Sequence, residues 1–452
     1  MVAKINRLSM IKKMQKLLMA FGLVAVFAFK VDAAPSFLVD DESEALLYHI
    51  VRPIFKVAGV GYDKNKIHII NDMSLNAFVA DGNHLFVHTG TLIYAKNVNE
   101  LSGILAHETG HIAGGHILRQ KLKIADMQTL SAISLIAAGS AAVASGQADA
   151  AIAVALGTQG SIINSLMAYQ LSEERAADES AVKYLKALHQ SPVGLRDFMK
   201  TIQKNNRLSG YEQTPYFRTH PMSAERQAFF EKSAKENKGS INSPYDQDFA
   251  FVQAKLTAFL LPENQVLRKY PDSQKTEAAK YAHAIVALRQ KNFKKAENLL
   301  DELIGTLPNN PYFYQLKAEV LFESGKIEDA EKNYQKALQL KPDGDEIMLS
   351  YAACALENPN RKQNLGHIIS VLNKAQISRE TPIGWQLLSK AYYEKGQKAD
   401  SLYASAKYSY IIGNIEAAKL QIKEAQKLNP SESLKLKLSD LEYQIKQKDT
   451  NF

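Results

Sequence analysis

The sequence has very little cysteine and no deficit of apolar residues. Its 452 residues include one cysteine, Cys354, so an intramolecular disulfide is excluded. Cys354 lies between alanines in an apolar helical pattern, which predicts a small residue of the hydrophobic core. Hydrophobic residues make up 46% of the chain, as in globular proteins, and the length is that of roughly two or three domains.

The sequence also lacks a long apolar run at its N-terminus. Five basic residues from Lys4 to Lys16 precede an apolar run from Leu17 to Phe29, which is short for a membrane span. We predict that residues 1–33 are a secretory signal peptide cleaved after Ala33, and an uncleaved anchor is the alternative. No cysteine directly follows the run, so a lipid anchor is not expected.

A strong net charge is absent from the predicted mature chain. The formal charge of the whole sequence is +8, but residues 1–33 contain six basic residues and one acidic residue. Without them the net charge falls to about +3. No nucleic-acid partner is therefore predicted.

The motif with the most specific spacing is H-E-x-x-H, formed by His107, Glu108 and His111. Residues four apart lie on one face of an α-helix, so both imidazoles can bind one zinc ion. Glu108 lies beside them and can accept a proton from the attacking water, the role of a general base. The alternative is a helix that carries two unrelated histidines.

The helix is predicted independently of the motif. Asn97 and Glu100 have the spacing of a capping box at a helix N-terminus. Apolar residues then recur at helical spacing, at Leu101, Ile104, Leu105, Ile112 and Leu118.

The third zinc ligand must come from elsewhere in the chain. His116 lies five positions after His111 instead of six, and a continuing helix would turn it about 140° away. The best candidate is Glu174, with Glu173 and Asp178 as alternatives, in a charged cluster that is expected to open a helix. Two histidines and one glutamate leave a fourth position for water, which is typical of a catalytic zinc.

A small β-sheet is predicted before the metal-binding helix. Three β-rich runs, Ile67–Ile70, Ala77–Val79 and Leu85–Val87, include a pair separated by Asp81-Gly82, a typical hairpin turn. An edge strand of this hairpin could hold an extended peptide by main-chain pairing. A purely structural hairpin is the alternative.

The segment Met127–Ser172 is rich in alanine, serine and glycine, and Asp149 is its only charged residue. A hinge at Ser145–Asp149 would divide it into two helical arms with too few large apolar residues for confident membrane insertion. We predict a lid or a membrane-surface hairpin over the active site. An ordinary buried helical hairpin is the alternative.

The C-terminal part contains a repeat, predicted to fill residues 276–435 and to be followed by a polar capping tail at 436–452. Its period of 34 residues relates Ala284, Ala296 and Pro308 to Ala318, Ala330 and Pro342. This period and these small residues are typical of tetratricopeptide repeats. A weaker unit spans 345–380, and Ala406–Pro430 fits the pattern again. Such arrays bind extended partners, and scaffolding is the alternative.

Together, H-E-x-x-H, E-x-x-A-D at Glu174–Asp178, Thr219-His220-Pro221, the repeats and the signal peptide resemble one group of proteins. The chain resembles the BepA-type periplasmic zinc metalloproteases, and residues 34–265 are similar to the peptidase family of HtpX and the CAAX prenyl proteases. The resemblance implies a mainly α fold: a zincin-like metallopeptidase domain with a small β-sheet, followed by an α-solenoid of tetratricopeptide repeats. The Asn76–Gly82 run departs from the family's glycine-rich hairpin.

The resemblance also implies roles for site residues. His107, His111 and Glu174 would bind one zinc ion per chain, and Glu108 would act as the base. Asp178 would be a proton donor or a support for the ligands. His220 would lie near the zinc, either as an inhibitory fourth ligand or as a donor to the oxyanion.

The function implied is an endopeptidase that hydrolyses misfolded or stalled outer-membrane proteins in the periplasm. The repeats would bind the client or the assembly machinery, and residues 127–172 could contact the membrane surface. The alternative is a chaperone or adaptor for outer-membrane protein assembly with a latent or silent zinc site. An intact H-E-x-x-H motif disfavours this alternative, because binding alone does not require Glu108.

Overall fold

The structure is a computed structural model that describes residues 36–80, 83–129, 148–208 and 215–450. The predicted signal peptide, the Asp81-Gly82 turn and the predicted hinge from residue 145 to 147 lie outside these ranges. Within them, no helix combines the length and the apolar character that crossing a bilayer requires.

A four-stranded mixed sheet forms in the N-terminal part, as predicted. Its strands are β1 (Phe37–Leu38), β2 (Ile67–Ile70), β3 (Ala77–Ala80) and β4 (His84–His88), in the order β1-β2-β4-β3. Strands β2 and β4 are parallel, whereas β3 pairs with β4 in the antiparallel register that places Ala80 opposite His84. This register is that of a hairpin, and it leaves β3 at one edge of the sheet.

Eight helices accompany the sheet in the described part of the peptidase region: α1 (Asp41–Ala58), α2 (Thr89–Tyr94), α3 (Val98–Gly114), α4 (116–129), α5 (Ala148–Ala187), α6 (Val193–Leu208), α7 (Pro215–Thr219) and α8 (Ala224–Glu236). Apolar residues of α1, the sheet, α3, α5 and α6 form one core, including Leu46, Ile69, Leu105, Leu185 and Phe198.

Helix α3 begins and ends at recognisable signals. The Asn97 side chain accepts a hydrogen bond from the Glu100 N–H, as predicted, but the Glu100 carboxylate accepts from the Lys96 N–H instead of that of Asn97. The helix ends because Gly115 adopts a left-handed conformation with φ 64. The prediction that Leu118 continues the apolar stripe is therefore wrong, and Leu118 is 65% exposed.

Helix α5 is a single helix of 40 residues. The expectation that the charged cluster around Glu174 opens a helix is wrong, because the cluster lies in the second half of α5. No glycine or proline interrupts residues 161–187, so the helix continues through them.

The C-terminal part is a row of helices, which includes the helical repeats predicted from the sequence. The helices are α9 (Asp246–Leu260), α10 (Glu263–Lys269), α11 (Glu277–Arg289), α12 (Phe293–Thr306), α13 (Pro311–Glu323), α14 (Ile327–Leu340), α15 (Asp345–Glu357), α16 (Leu365–Ser378), α17 (Pro382–Glu394), α18 (Lys398–Ile411), α19 (Ile415–Gln426) and α20 (Glu432–Thr450). Full burial of the repeat alanines Ala284, Ala296, Ala318 and Ala330 lets these helices pack closely. Cys354 is buried, as predicted.

Helix α9 joins the two parts of the fold. Phe249 and Val252 on α9 belong to the core of the peptidase region, whereas Phe251 and Ala254 belong to the core of the first repeats. The N-terminus of α1 also contacts the repeats, since the Asp41 carboxylate accepts hydrogen bonds from two backbone N–H groups at the start of α15. The repeats therefore pack against the peptidase region through both elements.

Candidate metal centre

The candidate site lies where α3 crosses α5. A Cβ at Gly110 would come within 2.9 Å of the Ala177 carbonyl oxygen, so only glycine permits this separation of the two helices. Gly110 precedes His111, and Ala177 lies between Glu174 and Asp178. The close crossing therefore places the two histidines of α3 opposite the carboxylates of α5.

Four side chains bring one potential ligand atom each into a group whose members all lie within 4.8 Å of one another. They are His107, His111, Glu174 and His220, and all four are buried. The Nε2 atoms of His107 and His111 are 3.1 Å apart, and each lies 3.4 Å from a Glu174 oxygen. His220 Nδ1 lies 3.0 Å from Glu174 Oε1 and 3.4 Å from His107 Nε2.

These distances fit a zinc ion. Ligand atoms about 2.0–2.1 Å from a tetrahedral zinc are about 3.3 Å apart, close to the separations in the group. Imidazole nitrogens and a carboxylate oxygen are also the ligands that zinc prefers when cysteine is absent. Several buried polar atoms at the site lack a hydrogen-bonding partner among the described residues, including both carboxylate oxygens of Glu108 and Nε2 of His220. Such atoms are rare in folded proteins and mark a place for a further group.

His220 reaches the group from a turn, as its position before Pro221 predicts. Helix α7 ends at Thr219, and the His220 N–H donates to the Tyr216 carbonyl oxygen. The His220 ring stacks on the Tyr216 ring with centroids 4.6 Å apart. The turn is also held on its other side, where Arg226 donates to the Pro221 carbonyl oxygen.

Asp178 lies behind the four-membered group. Its Oδ1 is 2.9 Å from His107 Nδ1, on the side of the ring away from the other ligand atoms. Both carboxylate oxygens accept hydrogen bonds from Arg226, which also lies 2.9 Å from Glu174 Oε2. No role for Arg226 was predicted from the sequence. The local signal that fixes its position is Ser223, which caps the N-terminus of α8 three residues earlier.

Burial and charge shift the pKa values of the site in different directions. Burial would lower the pKa of His107, but the carboxylates of Asp178 and Glu174 raise it to about 10. Burial would raise the pKa of Glu174, but His220 and His107 hold it well below its usual range. Burial raises the pKa of Glu108, partly offset by His220 and His107. Glu174 is thus kept as a carboxylate, and Glu108 is a stronger base than an exposed glutamate.

His116 occupies a different place from the one predicted. Its Nδ1 lies 2.9 Å from His111 Nδ1, and its Nε2 lies 3.0 Å from a Glu173 oxygen. The left-handed Gly115 turns the chain back, and a Cβ at Gly114 would overlap the His116 ring. The expectation that His116 points away from His111 is wrong because the helix does not continue. His116 supports a ligand from behind.

A cavity of about 380 Å³ opens beside the group. Its lining includes Glu108 and His220 on one side and Phe78 and Val79 of the edge strand β3 on another. The structure therefore brings together all six site residues predicted from the sequence, namely His107, Glu108, His111, Glu174, Asp178 and His220. It also places the outer edge of β3, which is unpaired among the described strands, next to them.

Comparison with known proteins adds two family matches. Residues 41–234 match the pattern of peptidase family M48, and residues 281–345 and 315–361 match the tetratricopeptide repeat. The first match contains every residue of the group described above. The second covers most of helix α11 and all of helices α12 to α15.

Similarity to individual proteins extends over both regions. The chain is 23% identical to a beta-barrel assembly-enhancing protease of Yersinia pestis over 373 residues, which cover 79% of this chain and 75% of that protein. It is 25% identical to a putative beta-barrel assembly-enhancing protease of Vibrio cholerae over 345 residues, 74% of this chain and 70% of that protein. A shorter stretch of 91 residues is 37% identical to the mitochondrial metalloendopeptidase OMA1 of Schizosaccharomyces pombe, covering 20% of this chain and 26% of that protein.

Proposed function

The chain carries a metallopeptidase domain of family M48 followed by tetratricopeptide repeats, and on that premise we propose that it is a zinc-dependent endopeptidase acting on misfolded or stalled outer-membrane proteins. The observation that carries this proposal is the buried group of His107, His111 and Glu174 with Glu108 beside it at an open cavity. A structural metal site would not need a buried carboxylate free of hydrogen bonds next to its ligands.

Each residue of the group has a proposed task. His107, His111 and Glu174 hold the zinc, which, when bound, polarises the scissile carbonyl and acidifies a water molecule. Glu108 accepts the proton of the attacking water and passes it to the leaving amine, a task suited to its raised pKa. Asp178 orients His107 by accepting a hydrogen bond from its Nδ1–H group, which leaves Nε2 free as a ligand atom.

Strand β3 is proposed to hold the substrate. Its outer edge is unpaired among the described residues, and its Phe78 and Val79 line the same cavity as Glu108. A peptide added to this edge would make main-chain hydrogen bonds that do not depend on its sequence. This mode suits a protease whose clients are unfolded chains.

His220 is proposed to keep the enzyme latent. Its Nδ1 lies among the other three ligand atoms at a separation of 3.0 to 3.4 Å from two of them, which supports a fourth ligand in place of the catalytic water. Movement of the turn before Pro221 would open that position. The alternative role, donation to the oxyanion, requires the ring to leave this group.

The client and the compartment are proposed from the relatives and the predicted signal peptide. The two relatives that match over both regions are named for beta-barrel assembly, and a signal peptide at residues 1–33 would export the chain to the periplasm. The repeats would then bind the client or the assembly machinery. We also propose that residues 127–172 form a lid or a membrane-surface hairpin. Of these, residues 148–172 are helical and belong to the same helix as Glu174.

A second candidate function is a chaperone or adaptor in outer-membrane protein assembly with a silent zinc site. The position of His220 within the donor group favours it, because a fourth protein ligand makes a zinc site structural. The position of Glu108 favours the enzyme, since a silent site gains nothing from a buried carboxyl beside the ligands.

The proposed function is tested by metal analysis and proteolysis of the purified chain. We expect about one zinc per chain and cleavage of casein that stops with a chelator and returns when zinc is restored. Zinc without casein cleavage, in both the parent and the His220→Ala variant, would support the chaperone or adaptor. Absence of bound zinc would contradict both.

A further inference from the structure

A second cavity of about 370 Å³ lies between the peptidase region and the repeats. It is lined by β1 and the residues before α1, by α9, and by the first helices of successive repeat pairs, α11, α13 and α15. It does not share any lining residue with the cavity beside the metal centre. The second cavity is therefore distinct from the one beside the metal centre.

The lining of this cavity carries an excess of negative charge. Three carboxylates, Asp40, Glu319 and Glu346, face one ammonium group, that of Lys255. Lys255 is already engaged, because it forms an ion pair with Asp40 and lies 3.6 Å from Glu42. The cavity thus contains more carboxylate than its own cation can balance.

Two acceptors in the cavity have no donor. Glu319 is half-buried and makes no hydrogen bond or ion pair with the described residues. Gln315 is 7% exposed, and its Oε1 has no hydrogen-bonding partner among the described residues. Burial and the charge of Glu346 raise the pKa of Glu319 to about 7, which shows how poorly its negative charge is compensated. An acceptor without a donor is costly when it is buried, as Gln315 is, and a ligand with N–H donors would satisfy Gln315 and the half-buried Glu319 together.

The carboxylates do not form a metal site. Among the described residues, the only group of acidic, histidine or cysteine side chains close enough to share an ion is the one that includes Glu174. The cavity also has apolar walls, formed by Leu38, Val39, Leu256, Phe259 and Leu316. A ligand with a cationic end and an aliphatic stem matches this combination better than a small ion.

We propose that this cavity binds a lysine or arginine side chain of an extended polypeptide, whose cationic end lies between Glu319, Glu346 and Gln315. The aliphatic stem and an apolar neighbour in the peptide pack against the leucines and Phe259. The inference rests on the proposed role of the repeats in binding polypeptides and does not depend on the proposed hydrolysis. The cavity would then recognise a client or partner by a basic residue that lies next to an apolar one.

The test is peptide binding to the full chain carrying Glu108→Gln, so that the peptide is not cleaved. The probes are two fluorescein-labelled decapeptides that differ only at the central residue of Leu-Arg-Leu, which is arginine in one and the neutral isostere citrulline in the other. Fluorescence anisotropy gives the ratio of their dissociation constants. We expect the arginine peptide to bind at least about tenfold more tightly, because its guanidinium makes charge-assisted hydrogen bonds that the neutral citrulline cannot make.

Glu319→Gln and Glu328→Gln form a matched pair, because Glu328 lies on the next helix and is exposed. We expect Glu319→Gln to reduce the preference for arginine to less than about threefold and Glu328→Gln to leave it unchanged. Equal binding of the two peptides, no saturable binding of the arginine peptide, or an arginine preference that survives Glu319→Gln would overturn the proposal. Failure of casein cleavage would not affect this measurement, so the two proposals fail separately.

Discussion

Arg226 donates two hydrogen bonds to the carboxylate of Asp178, of 2.7 and 3.0 Å, and both side chains are buried. The same carboxylate lies 2.9 Å from His107, while Arg226 also holds the carbonyl oxygen of Pro221. This pair therefore connects the turn that carries His220 with the helix that carries Glu174. The position of the ligands depends on an ion pair outside the ligand group.

Replacing Arg226 tests this dependence. Arg226→Lys keeps the charge but loses the two parallel hydrogen bonds, so Asp178 would no longer hold His107 in place. We expect zinc affinity, measured by titration against a competing chelator, to fall by about tenfold or more. Arg175→Lys is the control, because Arg175 lies on the same helix as Asp178 but pairs with Glu225 at the surface. Equal zinc affinities of Arg226→Lys and the parent would show that the position of the ligands does not depend on the ion pair between Arg226 and Asp178.

His220→Ala distinguishes the two roles of His220. If its imidazole closes the fourth position, its removal frees that position, and the initial rate of casein cleavage should rise several-fold, together with self-cleavage. If it donates to the oxyanion, the rate should fall by about a hundredfold or more. The rates must be compared at equal zinc occupancy. A clear fall in the cleavage rate would contradict the proposal that His220 keeps the enzyme latent.

Glu174→Ala tests the third ligand. Two imidazoles alone make a poor zinc site, so we expect most of the bound zinc to be lost on dialysis. Glu179→Ala is the matched control, since Glu179 lies on the same helix and is 55% exposed. Unchanged zinc content in Glu174→Ala would mean that another carboxylate, such as Asp178, serves as the ligand.

The cavity between the peptidase region and the repeats predicts a pH effect on stability. Burial raises the pKa of Glu319 from 4.5 to about 7, so between these values the folded chain binds more protons than the unfolded chain. Stability contributed by this group is full below pH 4.5 and is lost as the pH rises through 7, by at most about 3 kcal/mol. The Glu319→Gln variant should therefore have a higher Tm than the parent at pH 8 but not at pH 4.

The control for this effect is again Glu328→Gln, whose side chain is exposed. Comparing each variant with the parent at the same pH cancels the titration of the metal centre. If the Glu319→Gln variant has the same Tm as the parent at pH 8, ionisation of Glu319 does not destabilise the folded chain, and the predicted effect is absent.

Features that depend on local periodicity could be predicted from the sequence. The spacing of His107 and His111 places both on one helical face, and the 34-residue period locates the repeat helices through their buried alanines. Glu174 was the best candidate for the third ligand because of its charged cluster, whereas the roles of Asp178 and His220 came from the family resemblance. No local pattern relates residues that lie more than 60 positions apart. The close contact of Gly110 with Ala177 provides the physical reason for the grouping of Glu174 and Asp178 with the two histidines.

Features that depend on one backbone conformation or on long-range packing were missed. A continuous helix would carry His116 away from His111, but the left-handed Gly115 brings it back, and Gly114-Gly115 was the signal available in the sequence. The role of Arg226 follows from how α8 packs on α5, which no local pattern encodes. The continuity of α5 was missed because the segment before Glu173, which has only one charged residue, was interpreted as a separate hairpin.

The most direct test of the account is the Glu108→Gln variant. The carboxamide fills the same space but cannot accept the proton of the attacking water, while the ligands His107, His111 and Glu174 are unchanged. The measurement is the initial rate of casein cleavage per bound zinc, for the parent and Glu108→Gln, each also in the His220→Ala background. The account predicts about one zinc per chain in all four proteins, and no cleavage whenever Glu108 is replaced. Cleavage by zinc-loaded Glu108→Gln at a rate near that of its parent would contradict it.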